Sequence, residues 1–146
     1  PKRVKAVIAL SSSPDWKSTT KKDVALWNKN PDKAFRSNLP ALFAQSTPIA
    51  VKEFYDAQLR ETPPLSCRAD IAACSSFDTE KRLKKIACPT LVVTGDEEAW
   101  IEGSHRLAKG IKGARIEFVP KAGHAIALEQ PQKLTAVIAR FLAELR

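Results

Sequence analysis

Apolar positions change their period along the chain, and the changes divide it into parts. Residues 3–10, RVKAVIAL, are apolar at Val4 and again from Ala6 to Leu10, which predicts a short buried strand. Ser11, Ser12, Ser13 and Pro14 end it with loop chemistry. Between residues 15 and 86, Pro31, Pro40, Pro48, Pro63 and Pro64 cut the chain into short segments. Thr20 with Asp23 three residues on has the form of a capping box before VALWN. Asn38-Leu39-Pro40 opens a short piece, ALFAQ. Thr47 as an N-cap, with Pro48 at the first helical position, predicts a helix over IAVKEFYDAQLR that Pro63-Pro64 stops. A further helix is expected within Arg68 to Ser75, and Asp78 or Thr79 caps EKRLKKI. No strand is expected in this stretch.

After Cys88-Pro89 the period switches. TLVVTG, residues 90–95, is β-branched, apolar and closed by glycine, the signature of a buried strand. A helix is expected from Ser104 to Ile111, with Leu107, Ala108 and Ile111 on one face, ended by Lys112-Gly113. RIEFV, residues 115–119, is the next strand, with Ile116 and Phe118 on one face and Glu117 on the other. Leu134, Val137, Ile138, Phe141 and Leu145 then form one helical stripe, with Pro131 near its start. Strands alternating with helices predict a parallel α/β sheet interrupted by a helical insert.

At 146 residues the chain has the size of one ordinary domain, and its 44% hydrophobic and 27% charged residues fit a globular protein. The net charge of +8 raises the question of a nucleic-acid or anionic-membrane partner. The basic residues are scattered, however, and the densest group is only Lys81, Arg82, Lys84 and Lys85. No zinc finger, glycine-rich RNA motif or interleaved aromatic residues accompany them, so the expectation is no nucleic acid. No apolar run approaches the roughly 18 residues that cross a bilayer, and no secretory signal is evident, so no membrane is expected and a cytoplasmic location is. Cys67, Cys74 and Cys88 are odd in number, form no CxxC, and accompany only His105 and His124; no disulfide, metal or cofactor is expected. The chain has no methionine; Pro1 could follow an excised initiator, but the absence also agrees with a chain that begins inside a larger protein.

Two polar clusters follow predicted strands, the place where open parallel sheets bind ligands. Gly95-Asp96-Glu97-Glu98 comes directly after TLVVT, and Gly123-His124 a few residues after RIEFV. If those strands are neighbours the loops can meet, and a carboxylate facing an imidazole is the orienting half of a catalytic triad. Acidic turns and loop histidines also occur without any such role.

The wording of these segments, PTLVVTGDEEAW and SHRLAKGIKGARIEFVPKAGHAIALEQP, resembles the last third of α/β-hydrolase-fold enzymes. The matching marks are Pro89, Gly95, an acid three residues later at Glu98, Gly123-His124, and Glu129-Gln130-Pro131. The resemblance is specific in residues 83–146 and loose in 11–80. It implies an α/β fold: the C-terminal portion of an α/β-hydrolase, three parallel strands with flanking helices and an all-helical cap. Residues 1–10 and 87–146 would form the partial core and 11–86 the cap. It implies His124 as general base and Glu98 as the acid orienting it, with Asp96 the alternative acid and Glu97 solvated. Gly123 would support a tight turn. Trp16, Trp27, Phe35, Phe43, Phe54, Tyr55 and Phe77 would line an apolar pocket or pack the cap; Trp100 would line the site or join the core, and His105 would be exposed. The family's G-x-S-x-G nucleophile turn is not formed by Gly95, Gly103, Gly110, Gly113 or Gly123, and Ser104 beside Gly103 enters a helix in the wrong place. The nucleophile is therefore expected before residue 1. The implied activity is hydrolysis of a carboxylic ester, lactone or similar acyl bond in a small-molecule substrate. The alternatives are dehalogenase, carbon–carbon hydrolase, perhydrolase or acyltransferase chemistry on the same fold, or a non-catalytic remnant used for binding. The isolated chain is expected to be inactive, and the oligomeric state stays open.

Overall fold

The computed structural model describes residues 3–16 and 21–145. A strand, β1 (Val7–Leu10), leads into four helices: α1 (Lys21–Lys29), α2 (Pro31–Asn38), α3 (Ile49–Arg60) and α4 (Pro64–Ser75). A 3-10 turn at Leu39–Leu42 precedes α3, and another at Glu80–Lys85 precedes β2 (Thr90–Gly95). Then come α5 (Ile101–Gly110), β3 (Arg115–Val119), a single turn α6 (Ile126–Glu129) and α7 (Pro131–Ala143). The strands form a parallel sheet in the order β1-β2-β3. The first strand lies at an edge.

The central strand is buried throughout, which is why its sequence shows no polar alternation. Its side chains still alternate between faces. Leu91 and Val93 join Val119, Ala122, Ile126, Leu134 and Phe141 on the α7 side. Val92 joins Leu83, Leu107 and Ile111 on the α5 side. Gly103 lets α5 lie against the loop after β1, because a Cβ there would stand 2.7 Å from the Ser13 Cβ. Arg106 fixes the same contact through both oxygens of the buried Asp15, at 2.6 and 2.8 Å.

Several expected boundaries shift. β1 starts at Val7 and not at residue 3, because pairing with β2 begins only where Val7 meets Thr90; Val4 remains exposed. Helix α2 was not anticipated, although Asn30 accepts the Lys33 amide and Pro31 takes the first helical position. Pro63-Pro64 ends one helix and also starts the next, so α4 begins at Pro64 and not at Arg68. Thr47 does not cap α3 with its side chain, since its hydroxyl is spent on Glu129. EKRLKKI forms a 3-10 turn at Glu80–Lys85, with the Asp78 carboxylate accepting the Glu80 amide. Helix α5 starts three residues before Ser104, at Ile101. The capping box at Thr20 lies outside the described residues.

Candidate functional site

Three constraints fix the loop after β2. The Asp96 and Glu97 amides donate to the Val119 and Ala122 carbonyls, at 3.1 and 3.0 Å, tying this loop to the one after β3. Gly95 is required because a Cβ there would stand 2.0 Å from the Ala122 carbonyl oxygen, an impossible contact with rigid backbone. The Asp96 carboxylate accepts the Lys121 amide at 2.8 Å, across a turn in which Lys121 takes a left-handed φ of 59°. Asp96 therefore shapes the turn leading to His124 and does not contact the imidazole.

Glu98 makes that contact. Its Oε2 lies 2.9 Å from His124 Nδ1, and its Oε1 accepts the Trp100 amide at 3.1 Å. The Glu98 side chain is 1% exposed, whereas that of His124 is 39% exposed. Burial opposes ionisation of Glu98, but the hydrogen bond and charge of His124, helped by the Trp100 amide, outweigh it; the carboxyl is held below its ordinary range. An ionised carboxylate only accepts, so Nδ1 carries the proton, and in the neutral imidazole Nε2 presents its lone pair. Among the described residues nothing bonds to Nε2. Trp100 stands edge-on to the imidazole, ring centres 5.4 Å apart, and so borders the site.

The histidine loop is also held from the helical insert. The His124 and Ala125 amides both donate to the Leu42 carbonyl, at 2.9 and 3.1 Å. Gly123 packs so closely beneath this segment that a Cβ would lie 2.7 Å from the Phe43 carbonyl carbon. Its glycine is needed for that approach, and the left-handed residue of the turn is Lys121. Glu97 is exposed as expected but accepts the Gln45 amide at 2.8 Å, a second tie to the insert. Glu129, read in the sequence only as a helix entry, accepts Ala44, Thr47 and Gly123.

The remaining candidates divide. Ser104 is buried and donates to the Ser12 carbonyl, so it has no nucleophile's position. His105 is exposed and lies against Phe118. Trp27, Phe35, Tyr55 and Phe43 stack in sequence within the insert, while Phe54 and Phe77 are exposed. A cavity of about 720 Å³ among α1–α4 is lined by Trp27, Phe35, Leu59 and Ile71 and involves neither His124 nor Glu98. Carboxylate oxygens of Asp15, Asp78 and Glu80 lie within 4.8 Å of one another, a spacing a cation accepts, but Arg106 already engages Asp15 and Glu80.

No family model matches the chain. It is similar to RutD of Variovorax paradoxus, 36% identical over 78 residues, covering 52% of this chain and 29% of that protein. Its likeness to the monoacylglycerol lipase ABHD6 of Mus musculus is 31% over 71 residues, 47% of this chain and 21% of the lipase. Among solved structures, a thermophilic esterase from Thermogutta terrifontis superposes with a TM-score of 0.84 at 24% identity, over 98% of this chain and 57% of the esterase. The chain thus spans only part of each protein it matches. Sheet order, crossover helix and these likenesses agree: the chain has the fold of the C-terminal portion of an α/β-hydrolase.

Proposed function

We propose that the chain supplies the base and the orienting acid of a hydrolase acting on a carboxylic ester, lactone or similar acyl bond. The observation that carries this reading is the contact between buried Glu98 and half-exposed His124, with Nδ1 turned to the carboxylate and Nε2 turned away. In this reading Nε2 takes the proton of a nucleophilic hydroxyl as it attacks the acyl carbon, and Glu98 stabilises the resulting imidazolium. The imidazolium then returns a proton to the leaving alkoxide, and water repeats the cycle on the acyl-enzyme. The nucleophile comes from a segment preceding residue 1, and residues 11–86 act as a helical cap over the site. The lipase and esterase to which the chain is similar support acyl chemistry.

A serine-directed fluorophosphonate tests this on the protein extended upstream of residue 1. Labelling at a serine outside residues 1–146, strongly slowed by His124→Ala, is the expected result. Labelling at an undiminished rate in a folded His124→Ala variant would remove His124 from the role of base.

A further inference from the structure

Glu129 makes an unusual set of contacts for a carboxylate beside a catalytic loop. Its Oε1 accepts the Ala44 amide at 2.7 Å and the Thr47 hydroxyl, and its Oε2 accepts the Gly123 amide at 2.8 Å. Two of the three donors lie more than eighty residues away, in the segment joining the Leu39–Leu42 turn to α3. No cation pairs with Glu129 among the described residues, so its charge is met by hydrogen bonds alone. The same two segments meet again one residue on, where His124 and Ala125 donate to Leu42. They are also pressed together at Gly123, which leaves no room for a Cβ.

We propose that Glu129 is a positioning residue that couples the seating of segment 42–47 to the orientation of His124. The inference rests on the reading of His124 as the base, and it adds a part to that machinery. The physical reason is directional. The Glu98 contact holds the imidazole from the β2 side, but one hydrogen bond leaves the ring free to swing with its own backbone. That backbone is held by Leu42, and Leu42 stays over the loop because Glu129 grips the residues on either side of the contact. A carboxylate can do this because both oxygens accept. A glutamine in its place offers one accepting end, and its NH₂ would face a donor at the other. Aspartate is one methylene too short to span the same donors. Because coupling is reciprocal, whatever lifts segment 42–47 slackens His124, and a reaction that pins His124 seats the segment.

The test is NMR of the full chain with Glu129→Gln. The expected result is exchange of the His124 and Ala125 amides accelerated by about tenfold or more, the scale set by losing a charge-assisted hydrogen bond. The His124 Nδ1 proton signal should broaden or move, while central α7 amides and the His105 ring keep their wild-type behaviour. A merely structural role would instead loosen α7 and the core together, and that pattern would overturn the proposal. So would a folded variant with wild-type signals at 124 and 125. Should Glu129→Gln fail to fold, Thr47→Val removes a single donor; a smaller change in the same direction at His124 is expected, and none would overturn the coupling. These signals do not depend on turnover, so they can fail while the base assignment stands, and the reverse.

Discussion

The Glu98 side chain reaches two partners at once. Its two oxygens serve different donors, the His124 ring and the Trp100 amide. Glutamine can satisfy only one of the two and leaves the other donor facing an NH₂. The charge also has a sign in pH. Because the folded-state pKa of Glu98 is depressed, its contribution to stability is complete above the ordinary carboxylate range and is lost as pH falls through it. The stability gap between wild type and Glu98→Gln, measured by urea midpoints, should therefore be largest near neutrality and shrink as pH falls below the ordinary carboxylate range. A gap that stays constant over that range would mean that Glu98 is not held ionised by its partners.

At the scale of elements, the two loops after β2 and β3 are interlocked by Gly95. Gly95→Ala would drive a methyl into the Ala122 carbonyl and should cost about 3 kcal/mol or more, since rigid backbone must move. Thermal or urea unfolding checks this, and a loss below about 1 kcal/mol would show that the loops can part cheaply. Much of this region was legible in the sequence. TLVVTG and RIEFV gave both strands to the residue because buried parallel strands are short, β-branched runs with sharp ends. That a carboxylate after β2 could meet His124 follows from two polar loops on neighbouring strands, while the choice of Glu98 over Asp96 rests on the family resemblance. The helical insert was less legible. Asn30-Pro31 carries the start signal of α2 within a run of prolines that reads as breaks, and Pro64 opens a helix at the point where the pattern suggests an ending. Glu129 escaped notice as part of the site because its partners are distant in sequence, and no local pattern encodes a contact with residues 44 and 47.

For the whole molecule, the sheet order leaves the outer side of β1 without a partner strand among the described residues. Its residues Val7 to Ala9 are half-buried and apolar, the composition of an interior strand and not of a protected edge. In the proposed reading a further strand lies there and carries the nucleophile toward His124. It follows that the 146-residue chain alone should hydrolyse no ester above background. Among the described residues no helix is long and apolar enough to cross a membrane. The central claim, that His124 is the base of an acyl-transfer site, is tested most directly by kcat for a p-nitrophenyl ester. The comparison is wild type against His124→Ala, in the protein extended upstream of residue 1, with the fold of each verified by circular dichroism. The expected result is a fall in kcat of roughly four to six powers of ten with the fold retained. A folded His124→Ala variant that turns over the ester at the wild-type rate would contradict it.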